Sequence, residues 1–380
     1  MTRGAPLDGL LVMDLSRLLP GPYCSLMLAH LGATVIKIEE PGTGDPMRHF
    51  PPVGADGTSQ LFTIINQNKM SLTLNLATPE GQRILRQLAG QADVLLESFR
   101  PGVMDRLGLN YGRLSAENPR LIFVSLSGYG QEGPFAQRAG HDINYGALTA
   151  LLKQFSTAET PPRATPLPLA DLSGSLWTAV AILAALHQQD VTGRGTHLDM
   201  ALLDGVAALS LLPFVGCCTG DLHTEPPSLL PTDSWACYGV YQTADDRSMA
   251  LGALEPKFWQ AFCTAVGREE WSPRQFAGDQ AGLRSEVAAL FRTQGQDYWV
   301  QQLSQVDCCC DPVLTVAEAL AHPQLLCRGL IQPGYAPLPL GTRSGNRLPA
   351  PSLGQHTAEI LGRLGYDDAA VSDLRERGVL

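Results

Sequence analysis

Positive charge is in short supply in this 380-residue chain. Lys and Arg number 27 against 37 Asp and Glu, a formal net charge of −10, so no global field draws it to nucleic acid or to an anionic membrane. An anionic ligand would need a local cluster of Lys, Arg and helix N-termini. Long apolar runs are lacking too. The most extended helix-like one, Leu176 to Leu186, is too short to span a bilayer and reads as a core helix. No basic segment leading into an apolar stretch opens the chain, and Arg377-Gly378-Val379-Leu380 matches no peroxisomal tripeptide, so a cytoplasmic location without a signal peptide is expected. No GxGxxG follows the first strand and no GxxxxGK[ST] occurs, which excludes the two commonest nucleotide-binding loops. Cysteine is plentiful at nine. Yet Cys217-Cys218 and Cys308-Cys309-Cys310 lack zinc-finger spacing and nearby His partners, so buried reduced thiols are expected rather than a metal site. Reduced thiols again fit the cytoplasm.

What is present is an ordinary globular composition, 44% hydrophobic, at a length that suggests two or three domains. Short apolar strands are predicted at Leu10–Asp14, Val35–Glu39, Ser71–Leu74, Asp93–Leu96 and Leu121–Leu126. Helices are predicted at Gly21–Leu31 and Pro79–Ala89. This alternation is that of an α/β fold, a largely parallel sheet with helices on both faces. Ligands of such sheets sit beyond the carboxyl ends of the strands. A helix apolar on nearly every face is predicted from Ala170 to about Gln189, buried deep in the fold or between subunits. A strand at His197–Ala201 and another apolar helix follow. Residues 219–234 read as a linker. Tyr238 to Leu251 reads as a β-hairpin turning at Ala244-Asp245-Asp246-Arg247. Helices fill most of the stretch to about 325, residues 331–354 are Pro- and Gly-rich, and a short helix is predicted near Thr357 to Leu364.

Three polar residues stand at element boundaries, and each has a structural explanation of its own. Asp171 precedes an apolar helix and is a good N-cap by sequence. Such a cap would lower its pKa and favour an ionised nucleophile. Glu255 before Pro256 could simply start a helix, since Pro suits the first turn. His141 could be an ordinary hydrogen-bonded histidine.

Several stretches in order resemble the family III coenzyme A transferase superfamily of the CaiB/BaiF type. They are Leu7-Asp8-Gly9-Leu10 through Asp14-Leu15-Ser16 with Gly21-Pro22; Leu31 to Glu39; Asn66-Gln67-Asn68-Lys69 before Ser71 to Leu76; Glu97 to Gly102 followed by Asp105-Arg106-Leu107-Gly108; Asp311-Pro312-Val313-Leu314; and His322-Pro323. Gly140 to Tyr145, Ala170-Asp171 and Gly252 to Phe258 are similar to the α-methylacyl-CoA racemase branch. There, His, Asp and Glu act as a His–Glu pair opposite an Asp. Transferases of the family share the Asp, as a nucleophile, but usually lack the His and carry a Gly-rich loop near the place of Glu255.

The resemblance implies a Rossmann-like large domain plus a smaller α+β domain in an interlocked homodimer. Residues 1–205 and 330–380 would form the large domain, 206–225 a linker and 226–329 the small domain. It implies an acyl-CoA racemase or epimerase that inverts the α-carbon of a 2-methylacyl-CoA through an enolate, with His141, Asp171 and Glu255 catalytic. An imidazole, with an ordinary pKa near 6.5, would serve one face of the carbon. Asp171 would serve the other, provided burial raises its pKa. Acid–base catalysis supplies about 10²–10⁴-fold, so an enolate donor worth roughly 3 kcal/mol is needed as well. Backbone N–H groups of Gly140-His141-Asp142, ahead of a predicted helix from Ile143 to Lys153, are the candidates.

CoA binding would fall to Lys37, Lys69, Arg100 and Arg106 at the nucleotide, with Asp142 and Tyr145 along the pantetheine arm. Glu40 departs from the Arg that many relatives carry there. No cofactor beyond the CoA moiety of the thioester and no metal is implied, and neither nucleic acid nor membrane is a partner. The alternatives are a CoA transferase forming an aspartyl-CoA intermediate on Asp171, and an acyl-CoA-binding protein without turnover. A second carboxylate, which a transferase needs for a diacid, would find only Arg48 or Arg163 beside the acyl site.

Overall fold

The computed structural model describes residues 4–55, 57–156, 161–211, 214, 235–330, 332, 334, 337–339 and 348–380. The chain divides into two compact units, Met1–Leu211 with Leu330–Leu380, and Leu212–Gly329. The linker expected at 219–234 lies outside the described residues. The one expected to begin at 206 is preceded by helix, since residues 206–209 belong to Leu202–Leu209.

The first unit is built on six strands: β1 (Leu11–Leu15), β2 (Thr34–Glu39), β3 (Lys69–Thr73), β4 (Val94–Glu97), β5 (Ile122–Ser127) and β6 (His197–Ala201). Their order is β3-β2-β1-β4-β5-β6, and all five pairings are parallel. This is the doubly wound arrangement, whose crevice opens where the winding reverses, between β1 and β4. Most inner strands are apolar along their length because both faces are covered. Helices α1 (Pro20–His30) and α7 (Leu169–Thr192) pack Leu28, Ile182 and Leu186 with Val12, Val94 and Val124 on one face. On the other, α3 (Pro79–Ala89) and the C-terminal helices Thr357–Arg363 and Asp368–Glu376 pack Leu85, Leu361 and Leu374 with Met13, Leu95 and Phe123. The chain end is stitched to β3 by Ser71 N–H to His356 Nδ1 at 3.1 Å and Asn75 N–H to the Val379 carbonyl at 2.8 Å.

Helix α7, expected to be buried in the fold or between subunits, is covered on one side only within this chain. It is 24 residues long, enough by length and composition to cross a membrane, yet Ile182 and Leu186 are buried in the unit's core while Leu176, Trp177, Val180 and Leu183 lie exposed. It stops at Gly193, whose φ of +71° is the left-handed cap glycine accepts. Beside it runs α8 (Leu202–Leu209). A Cβ on Gly205 would stand 2.9 Å from the Gly174 Cα, and one on Gly174 would meet Leu202 Cδ2 at 2.5 Å. The two helices therefore touch backbone to backbone.

The second unit holds the expected hairpin, β7 (Tyr238–Gln242) antiparallel to β8 (Ser248–Gly252), with Asp246 at φ +60° in the turn. A third strand, β9 (Cys310–Pro312), pairs antiparallel with β8. Helices bury Trp259, Phe262, Phe291 and Trp299 in its core. Cys237, Cys263 and Cys308 are buried there as free thiols, but Cys309 is exposed, correcting the expectation that the whole triplet is interior.

Candidate active site

Two helix starts meet in the first unit. Helix α6 spans Asp142–Leu148 with His141 as its N-cap residue, and ends before Ala150, whose φ of +60° leaves the right-handed region. It is thus shorter than the expected Ile143–Lys153, and a separate 3-10 turn covers Leu152–Phe155. The approach to His141 is rigid. Tyr145 is buried and donates its hydroxyl to the Gly140 carbonyl at 2.9 Å, with its ring edge-on to Tyr129. A Cβ at position 140 would stand 2.7 Å from the Tyr129 hydroxyl, so only glycine fits. Tyr145 therefore braces the turn that carries His141. The His141 N–H donates to Asn144 Oδ1 at 2.9 Å. The N–H groups of Asp142 and Ile143 have no protein acceptor among the described residues.

Asp171 is not the N-cap of α7. It is the helix's third residue, and the cap position is Pro168, which has no acceptor side chain. The first-turn N–H groups of Ala170 and Asp171 donate instead to Asp142 Oδ1, at 2.6 and 3.1 Å. No hydrogen bond reaches the Asp171 carboxylate among the described residues. Burial, then the Asp142 charge, push its carboxyl up to about 6, with His141 pulling the other way. The structural reading of Asp171 as a cap is corrected, and with it the expected fall in pKa. Asp142, expected on the pantetheine arm, has become the cap. His141 and Asp171 are brought close enough to interact electrostatically.

Glu255 stands in the second unit as the N-cap residue of helix Pro256–Ala265, with Pro256 in the first turn. The helix-start reading holds for its backbone, but its carboxylate makes no cap hydrogen bond. Its charge is felt at exposed Cys309.

At the switch point a cleft of about 290 Å³ lies beyond β1, β2, β3 and β4, lined by Arg17, Glu40, Asn75, Leu76 and Phe99 among others. Lys37 and Lys69, expected as nucleotide contacts, belong to its foundation. Their side chains are wholly buried, Lys37 paired with Asp45 at 2.8 Å and Lys69 with Asp14 at 3.3 Å. Neither offers an exposed cation to a phosphate. Arg48 is likewise engaged: Nε and Nη2 each lie 2.7 Å from the Glu39 carboxylate, Nη1 donates to the Pro351 carbonyl at 3.2 Å, and the guanidinium lies over Phe62. It is not the free receptor for a second carboxylate that its position suggested. Arg100 and Arg106 stand exposed on the turn and short helix after β4. Arg17 was missed. It is exposed at the end of β1 with its guanidinium 5.3 Å from the Phe99 ring, and its place just past a strand's carboxyl end was the available signal.

A second cleft, of about 270 Å³, opens beyond β4 and β5 and is lined by Glu97, Arg100, Tyr111, Ser125, Gln131 and His197 among others. Ser125 Oγ lies 3.0 Å from His197 Nε2. Burial pushes the Glu97 carboxyl up to about 7 against hydrogen bonds from Ser125 and the Phe99 N–H.

The profile of CoA-transferase family III matches residues 7–357. The chain is 34% identical over 390 residues to α-methylacyl-CoA racemase of Homo sapiens, covering 98% of this chain and 97% of that protein. It is also 34% identical over 340 residues to acetyl-CoA:oxalate CoA-transferase of Acetobacter aceti, covering 86% and 85%. The crystal structure of a CAIB/BAIF family protein from Brucella suis superposes with a TM-score of 0.83 at 29% identity, covering 95% of this chain and all of that one.

Proposed function

This chain belongs to CoA-transferase family III, and within that family we propose that it is an acyl-CoA racemase, inverting the α-carbon of a 2-methylacyl-CoA. The observation that carries this reading is the state of Asp171. Its carboxylate is released from helix capping by Asp142 and raised to about 6 beside His141. A racemase needs two groups that can each hold or release a proton near neutral pH. A transferase needs an ionised nucleophile, which helix capping would have provided and burial opposes.

In the forward direction one of His141 and Asp171 takes the α-proton as the C–H bond electrons move into the enolate. The other, protonated, delivers its proton to the opposite face. Proton count is conserved, and the pair is left reversed for the return reaction. Asp142 N–H, with no protein acceptor, is the donor proposed for the enolate oxygen, where preorganised dipoles count most. Glu255 is assigned by the family resemblance to orient the His141 ring and fix its tautomer.

The CoA nucleotide is assigned to the cleft at the switch point, where Arg17 beside Phe99 stands in for the Arg missing at Glu40; exposed Arg100 lines the second cleft instead. The exposed stripe Leu176, Trp177, Val180 and Leu183 on α7 supports a homodimer, since such patches mark contact surfaces. Trp177→Glu should then lower the mass seen by light scattering to that of one chain; an unchanged mass removes this stripe from the interface.

The transferase reading stays in view because the Acetobacter relative is as similar as the human one. Incubating a single 2-methylacyl-CoA in D₂O without an acceptor acid separates the two. Deuterium at the α-carbon, lost in Asp171→Asn, supports the racemase. CoA transfer that occurs only with a second carboxylic acid, and no exchange, supports the transferase instead.

A further inference from the structure

The geometry points to Asp142 as the positioning residue for Asp171, seating the catalytic carboxylate by capping its helix from a neighbouring one and facing it with a like charge. This rests on the reading of Asp171 as an acid–base group. The first N–H groups of any helix lack intrahelical acceptors and are normally met by a side chain at the N-cap. Here that position is Pro168, and the acceptor comes from 28–29 residues earlier in the chain, as a single oxygen, Asp142 Oδ1, serving two successive N–H groups. Had Asp171 capped its own helix, its oxygens would be bound to backbone and unavailable to a substrate carbon. Asp142 satisfies those donors and leaves the Asp171 carboxylate without a hydrogen-bond partner among the described residues.

The same residue also sets the charge environment. The groups facing Asp171 are Asp142 and His141 at the start of α6 and the Tyr145 phenol one turn on. Asp142 and burial favour the protonated carboxyl, and His141 favours the ionised one. Asp142 begins α6 immediately after His141, so one residue fixes the spacing of both proton-transfer groups.

The test separates the cap from the charge. Asp142→Asn keeps an acceptor oxygen and removes the charge, whereas Asp142→Ala removes both. The low-pH limb of α-proton exchange should move down by roughly one pH unit in Asp142→Asn. In Asp142→Ala exchange should fall by roughly 10–100-fold at every pH as the carboxylate loses its seat. A direct readout needs no substrate. In protein labelled with [4-¹³C]aspartate, with the Asp171 resonance assigned by its loss in Asp171→Asn, Asp171 should titrate near 6 in the wild-type chain and lower in Asp142→Asn. Identical Asp171 titration in the two proteins overturns the proposal whatever the reaction proves to be. A shifted titration with no exchange on any thioester upholds the positioning and overturns the racemase. Should Asp142→Asn fail to fold, Asp142→Ser decides, since its hydroxyl can still accept from the two N–H groups without the charge: an Asp171 titration unchanged from wild type overturns the proposal, and a lower one upholds it.

Discussion

Lys69 Nζ lies 3.3 Å from Asp14 Oδ2, with neither side chain reached by solvent. The ammonium also donates to the Pro22 carbonyl at 2.9 Å and to Asn66 Oδ1 at 2.8 Å, so it ties β3 to the end of β1 and the start of α1. Burial pushes this Lys down to about 8, although Asp14 opposes that shift. Removing one member strands the other charge in the interior, so Lys69→Met or Asp14→Asn should each cost roughly 3–5 kcal/mol. Asp14→Asn combined with Lys69→Met should cost much less than the two single losses added. Urea denaturation of the three variants measures this, and additive losses would show that the two charges are not a pair.

Asp171 holds its carboxyl above the ordinary value, which makes it a cost to the fold. A raised carboxyl binds its proton more tightly in the folded state. The penalty is absent below the unfolded value of 3.8 and complete above the folded value of about 6. Asp171→Asn should therefore abolish exchange while stabilising the protein by roughly 2 kcal/mol above pH 6, a gain that vanishes toward pH 4. Thermal unfolding across pH reads this, and a variant less stable than wild type at pH 7 contradicts it.

The same logic applies at Glu97, outside the proposed chemistry. Its folded value is about 7 against an ordinary 4.5, so Glu97→Gln should gain stability above pH 7 and none below about 4.5. The Gln amide keeps an acceptor for the Phe99 N–H at 2.8 Å. A melting-temperature difference that is flat with pH would mean that Glu97 titrates alike in the folded and unfolded chains, contrary to the raised value.

Arg17 carries the chain's answer to the carboxylate at position 40. Arg17→Ala should weaken CoA binding by roughly tenfold, since charge-assisted contacts to phosphate or stacking on an adenine are each worth a kcal/mol or more. Calorimetric titration with CoA checks it. An unchanged affinity places the nucleotide elsewhere.

Much of this was legible beforehand, for identifiable reasons. The parallel strands announce themselves because burial on both faces makes Val94-Leu95-Leu96 and Ile122-Phe123-Val124 continuous apolar runs. The hairpin at Tyr238–Gly252 showed through its alternation and its Asp-Asp turn. What failed concerned partners distant in sequence. Nothing in the local pattern at Asp142 says that its oxygen serves N–H groups 28 and 29 residues later. Nor does a Lys in a strand reveal that Asp45 or Asp14 has already claimed it. The three-residue β9 is too short for any periodicity, and Ala150 gave no composition signal for ending α6. His141, Asp171 and Glu255 were singled out by resemblance, and chemistry alone would not have chosen them.

The glycine pair where α7 crosses α8 has a consequence for chemistry less than one helical turn away, about 4.5 Å along the axis at 1.5 Å of rise per residue. Gly174 lies three residues after Asp171 and Gly205 lies against it, so this contact acts as a depth stop for the whole rod. Even a methyl group at Gly205 would meet the backbone of Gly174, push α7 outward and carry the carboxylate with it, away from the imidazole. Alanine there would thus leave every reacting group in place in the sequence and still put the two proton carriers out of reach of one carbon.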